Sequence, residues 1–135
     1  MKTEILFGIH PVYEALKAGR RIFYDLYITK DTTSRRLKRT ITLAEMKKIP
    51  VKKITSSKLK MLSGTDTTQR IGAKVSRYPL SEIIEIVNKI KHNAGNPFLL
   101  LLDNVVDPHN LGALIRTGTC AGIDAVIITR DRSAP

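Results

Sequence analysis

Apolar and polar positions change period along this chain in short blocks, and each block predicts one element. Ile22 to Thr29 alternates and is rich in aromatic and β-branched residues, which predicts a strand. Val51 to Thr55 and Ile71 to Val75 predict two more. From Ser34 to Ile49 the period becomes helical, with Leu37, Ile41, Leu43 and Ala44 on the inner face and Pro50 ending the run. Ser56 to Leu62 predicts a short helix stopped by Ser63-Gly64. At the start, Ile5 to Gly19 reads as a loop feeding a short helix, with Pro11 in its first turn and Gly19 closing it. Strands alternating with helices imply a small α/β sandwich.

The later blocks differ in kind. Ser81 is the expected cap of a helix through Glu82, Ile83, Ile86, Val87 and Ile90, whose apolar face needs burial, expected on the sheet that follows. His92 to Pro97 reads as a turn. The unbroken apolar run Phe98 to Leu102 suits a strand buried on both faces. Pro108 tolerates a helix start only, and Asn110 is the expected cap of the next helix. Leu111, Leu114 and Ile115 form its apolar stripe, Gly118 and Ala121 allow close packing on a sheet, and Gly122 stops it. Ala125 to Ile128 starts a further strand, completing a βαβ unit with parallel strands and a right-handed crossover. In such sheets sites form beyond the carboxyl ends of the strands. Asp103 to Asn110 lies there, with Arg116 two turns into the helix.

Charge divides the 135 residues unevenly. The formal net charge is +11, with 17 Lys and Arg against 6 acids in residues 1–76 and 6 against 6 in residues 77–135. We therefore expect a basic domain over 1–76, a linker and helix over 77–95, and a neutral α/β part over 96–135. Scattered surface lysines merely solubilise. The clusters point further: Arg20-Arg21, Arg35-Arg36 with Lys38-Arg39, then Lys47-Lys48 and Lys52-Lys53 suit a polyanion, whose phosphates position without being read for sequence. His10 either stacks on a base or makes a hydrogen bond at a helix start. Cys120 is the single cysteine, so no intrachain disulfide forms, a reducing cytoplasm fits, and the thiol reads as a small buried residue. No apolar run approaches the ~20 residues of a membrane span, and the start lacks a signal-peptide core, so no membrane partner is expected.

Two sets of residues carry a resemblance. Asp107-Pro108-His109-Asn110-Leu111-Gly112, then three residues, then Arg116-Thr117, resembles the first signature motif of the SpoU/TrmH-type RNA 2′-O-ribose methyltransferases of the knotted SPOUT superfamily. Gly8-Ile9-His10-Pro11-Val12-Tyr13-Glu14-Ala15-Leu16, Leu26-Tyr27-Ile28 and Gln69-Arg70-Ile71-Gly72-Ala73-Lys74-Val75 resemble the L30e-like substrate-binding domain that precedes it. Where that family commonly has glycine after the glutamine, this chain has Arg70, which alters the loop or adds an RNA contact.

The resemblance implies an α/β fold: an L30e-like sandwich followed by the first βαβ part of a SPOUT domain. It implies methyl transfer from S-adenosylmethionine to a ribose 2′-hydroxyl, with RNA of the large ribosomal subunit (23S-type) as substrate and a homodimer formed through the SPOUT domain. It places Asn110 and Arg116 at the catalytic site. Arginine stays protonated, so Arg116 is expected to orient and to stabilise the developing alkoxide, while Asn110 fixes the loop and the ribose. His109 and Asp107 lack a third ligand, so no metal is expected. The family's cofactor pocket comes from later motifs, so most cofactor-binding residues are expected beyond Pro135, and residues 1–135 alone are expected to be an inactive fragment. A non-enzymatic L30e-like RNA-binding module fits the charge equally but leaves the Asn110 to Arg116 spacing without purpose. A nucleotide-binding Rossmann protein would carry Gly-x-Gly-x-x-Gly after its first strand, and that is absent.

Overall fold

The computed structural model describes residues 3–29, 34–65, 69–91, 95–131 and 133. Among them the chain forms six strands and five helices in two compact units, Met1–Pro79 and Leu80–Pro135.

In the first unit the order is β1 (Thr3–Phe7), α1 (Ile9–Ala18), β2 (Phe23–Thr29), α2 (Arg35–Met46), β3 (Val51–Ile54), α3 (Ser56–Ser63) and β4 (Ile71–Ser76). The strands lie side by side as β1-β4-β2-β3, with β4 antiparallel to both neighbours and β2 parallel to β3. Alternation along β4 sorts its residues. Ile71, Ala73 and Val75 join Leu26 and Ile28 of β2 against Val12 and Leu16 of α1 and Leu37 and Ala44 of α2. Gly72 faces the other way, where a Cβ would come within 2.8 Å of Leu59 on α3. The sandwich thus has α1 and α2 on one face of the sheet and α3 on the other. Val12, Leu16, Leu26, Leu37, Leu59, Ile71 and Val75 are fully enclosed. At roughly 1.5–3 kcal/mol for each large side chain, this burial dominates the unit's stability.

One element differs from expectation. Ile5 to Phe7, read as loop, belongs to β1, which pairs with β4 from Thr3 opposite Ser76 to Phe7 opposite Gly72. Five residues ending at a glycine give little local signal, and the partner lies far along the chain. The predicted stops hold: Gly19 and Gly64 adopt left-handed backbone at the ends of α1 and α3.

The second unit contains α4 (Ile83–Lys91), β5 (Leu99–Leu102), α5 (Pro108–Cys120) and β6 (Ala125–Ile128). β5 and β6 are parallel, in register from Leu99 opposite Ala125 to Leu102 opposite Ile128. Gly118 packs as expected, since a Cβ there would lie 2.5 Å from the Ile123 side chain and 3.2 Å from that of Leu100. Burial otherwise falls short. Leu101 is 68% exposed, so β5 is not covered on both faces. Cys120 and Ala121 are exposed rather than packed, because a two-stranded sheet covers only a narrow strip of α5. Helix α4 buries none of its residues and leaves Ile83 and Ile84 open. It starts one residue after Glu82, whose carbonyl accepts from the amides of Glu85 and Ile86, so Ser81 is not its cap. The turn read over His92 to Pro97 includes residues 92–94, which lie outside the described residues. No helix among the described residues is long and apolar enough to cross a membrane.

Candidate functional site

The first unit's candidate site is the outer surface of α1 and α2. Ser34 fixes the start of α2, its hydroxyl oxygen accepting from the Leu37 amide at 3.2 Å. Leu37 and Thr40 are buried, and the Thr40 hydroxyl donates to the Arg36 carbonyl at 3.1 Å, which locks the inner face. Arg35, Arg36, Lys38 and Arg39 are then held on the exposed side. Four cations crowd the end of α2 where the helix dipole is positive, and no acidic residue stands in that turn. The placement is unfavourable by ~0.3–1 kcal/mol per charge nearest the terminus. Among the described residues, no carboxylate pairs with any of the four.

Helix α1 contributes rings to this surface. Arg36 Nη1 lies 3.2 Å from His10 Nε2, and the Arg39 guanidinium stands 5.8 Å from the centre of the Tyr13 ring. Sequence reasoning overlooked Tyr13. Its available signal was its position three residues after His10, on the same side of α1. His10 does not cap α1: the side-chain oxygen of Gln69 accepts from the Ile9 amide at 3.0 Å, while the Gly8 amide donates to Ile71. Gln69 and Arg70 both adopt left-handed backbone, with φ of 48° and 63°. That conformation costs an ordinary residue about 1–2 kcal/mol and glycine almost nothing.

The remaining cations divide by occupation. Arg21 is largely enclosed, with its side chain 16% exposed, pairing with Glu4 at 2.7 Å and lying 5.5 Å from the Tyr78 ring centre. These contacts tie β1 to the end of the unit and leave Arg21 less open to a ligand than Arg20. Exposed Arg20 donates to the Tyr78 hydroxyl at 3.1 Å. Lys52 pairs with Asp25, and with Tyr27 also donating to that carboxylate, Asp25 is held below the usual carboxylate range, chiefly by Lys52.

In the second unit the candidate site is the loop from β5 into α5. Asp107, and not Asn110, caps α5: its carboxylate accepts from the His109 amide at 2.9 Å, and Pro108 takes the first helical position. Proline has no amide to donate and a backbone angle already helical there, so it selects the preceding residue as cap. Asn110 is released to the exposed first turn. With Asn104, Val105, Val106, Asp107, Ala113 and Leu114 it lines a cleft of about 420 Å³ at the carboxyl end of β5. Arg116 is not in that lining. It folds back over Gly112, where a Cβ would lie 3.3 Å from its Nη1. Six residues of α-helix also place Asn110 and Arg116 roughly 120° apart about the axis. They share a helix without sharing the cleft.

Comparison with known proteins adds a family and a fold. The family of RNA 2′-O ribose methyltransferase substrate-binding domains matches residues 5–81. A 23S rRNA (guanosine-2′-O-)-methyltransferase RlmB of Acinetobacter baylyi is 37% identical over 133 residues, covering 98% of this chain and 53% of that protein. The protein of the same name in Escherichia coli is 33% identical over 135 residues, covering 98% and 54%. The chain thus spans about half the length of the curated relatives it matches. Among solved structures, an AdoMet-bound rRNA methyltransferase from Sinorhizobium meliloti aligns with a TM-score of 0.63 at 21% identity, over 93% of this chain and 43% of that one. The SpoU methyltransferase AviRb from Streptomyces viridochromogenes aligns with a TM-score of 0.63 at 17% identity, over 97% and 46%. At such identities the likeness establishes the fold.

Proposed function

This chain belongs to the family of RNA 2′-O ribose methyltransferase substrate-binding domains, and from that premise we propose that it works in methylating a ribose 2′-hydroxyl of large-subunit ribosomal RNA. The observation that carries the reading is the cation cluster at the start of α2. It opposes the helix dipole and has no acidic partner among the described residues. A polyanion resolves that opposition, and RNA is the polyanion on which the relatives named above act. The first unit binds RNA through Arg35, Arg36, Lys38 and Arg39, with His10, Arg20 and Arg70 beside them in the proposed contact set. The place of action is the cytoplasm, where ribosomal RNA is available.

The lining of the second unit's cleft fits a cationic, partly apolar nucleoside such as S-adenosylmethionine. The cleft is open to solvent and sets Val105, Val106, Ala113 and Leu114 beside one carboxylate and two carboxamides. Asp107 and Asn110 would hold the polar parts of that cofactor, and its sulfonium supplies the methyl group. Asn110 orients the sugar or the donor. Arg116, always protonated, lies folded over Gly112; swung away from that helix turn, its side chain would donate to the sugar oxygen that gains negative charge as the hydroxyl proton passes to solvent, or to the neighbouring phosphate. The longer protein pairs with a second copy through its SPOUT domain, in keeping with the apolar residues that the second unit leaves exposed.

Ribose-methylation mapping of ribosomal RNA from cells lacking the gene tests the function. The expected result is loss of one 2′-O-methyl mark in the large-subunit RNA. A complete set of marks overturns the proposal. Complementation with Arg116→Ala in the gene is expected to leave the mark missing, while RNA binding by the first unit persists.

A further inference from the structure

Resting on the RNA-binding reading above, we infer that the α1–α2 surface recognises unpaired bases through two ring–guanidinium pairs, His10 with Arg36 and Tyr13 with Arg39. The RNA segment held by this lobe is therefore a loop or another single-stranded stretch.

Four observations lead there. His10 and Tyr13 are three residues apart on α1, and Arg36 and Arg39 are three apart on α2, so the pairs repeat once per helical turn. The contacts, 3.2 Å between Arg36 and His10 and 5.8 Å from Arg39 to the Tyr13 ring, present two flat groups at the rim of the helix–helix contact. His10, Arg36 and Arg39 are exposed and Tyr13 is half-buried, so the pairs are open to a ligand. The pairs stand outside the buried core, to which α1 contributes Val12 and Leu16 and α2 contributes Leu37 and Ala44.

The spacing decides between strand and duplex. Side chains three apart on a helix have Cβ atoms about 5–6 Å apart. Successive bases of a stacked strand rise only ~3.4 Å. Two bases that meet both pairs must part from one another. That is open to unpaired nucleotides, whose bases stack on aromatic rings and guanidinium planes, and closed to a duplex, which offers shape and backbone instead. The cations alone would satisfy a duplex; the rings have a use only with a strand.

The test is fluorescence anisotropy with the 135-residue chain, a short labelled RNA strand without secondary structure, and an RNA duplex of equal length. The parent is expected to bind the strand more tightly. His10→Ala and Tyr13→Leu should each weaken strand binding by about 5- to 150-fold, the range of one stacked base, and leave duplex binding within about twofold. Tyr13→Phe, which keeps the ring, should bind the strand as the parent does. Circular dichroism checks folding, and if Tyr13→Leu unfolds, exposed His10→Ala decides alone. The inference is overturned if the variants hold the strand as the parent does, or lose strand and duplex equally. If the parent binds neither RNA, the RNA-binding reading itself has failed, a different result from either.

Discussion

The two units reach opposite balances between burial and exposure. Of the eleven buried apolar side chains among the described residues, ten lie in the first unit and one, Leu102, lies in the second. The first unit covers its sheet on both faces and can therefore carry an unfavourable feature, four cations at the positive end of α2. Among its described residues the second has two strands and one packed helix, and it leaves Ile83, Ile84, Leu101 and Val106 more than half exposed. Surplus stability in one place tolerates electrostatic frustration. Where burial is thin, side chains at the surface contribute little to the fold.

The sharpest way to break this contrast is to make the same substitution in both units. Leu26→Ala removes a fully enclosed side chain from the first core and should destabilise that unit by about 2–5 kcal/mol in urea unfolding. Leu101→Ala removes one that is 68% exposed and should change stability by less than about 0.5 kcal/mol. Equal losses would mean that the second unit is packed far better than its exposure indicates.

Next in size is the frustration itself. Reversing Arg35, Arg36 and Arg39 to Glu should weaken RNA binding at least roughly 100-fold at physiological salt and flatten the salt dependence by about two units of log–log slope, the share of three phosphate contacts on a single strand. The same triple variant should be more stable than the parent, by on the order of 1–2 kcal/mol, because acids now stand at the positive end of the helix. Opposite signs for binding and stability in one variant are the signature of charges kept for a ligand. If stability fell along with affinity, the cluster would be holding the fold.

Legibility followed the range of the interactions involved. Every helix, the parallel pairing of β5 with β6 and the stops at Gly19 and Gly64 rest on local patterns, and the sequence displays them. The Asp107 cap was local too, and Pro108 was the signal that should have outweighed the general suitability of Asn110. What escaped depends on residues distant in the chain: β1, which needs β4, and the cap of α1, which Gln69 supplies from sixty positions away. Arg21 looked like its neighbour Arg20 until Glu4 and Tyr78 closed around it. At the candidate catalytic residues the spacing from Asn110 to Arg116 was visible, but a motif gives positions and no directions. The helix sends the two side chains to different faces.

The smallest expected effect isolates a single backbone position in the first unit. Arg70 holds φ at 63°, next to Gln69 at 48°, in the turn that brings the Gln69 side chain onto the start of α1. The residue's own carbonyl accepts from Thr29, so the turn is tied to β2 and cannot relax freely. Arg70→Gly removes the steric opposition of a Cβ in left-handed backbone, worth about 1–2 kcal/mol, and adds back up to ~1 kcal/mol of chain entropy lost on folding. The net should be a gain of up to about 1 kcal/mol in urea unfolding. RNA affinity measured beside it separates the two readings of this departure from the family's usual glycine. If the arginine touches RNA, affinity falls severalfold while stability rises. If affinity is unchanged, Arg70 leaves the RNA-contact set, and the turn is a place where the chain tolerates strain because the core beneath it is closed.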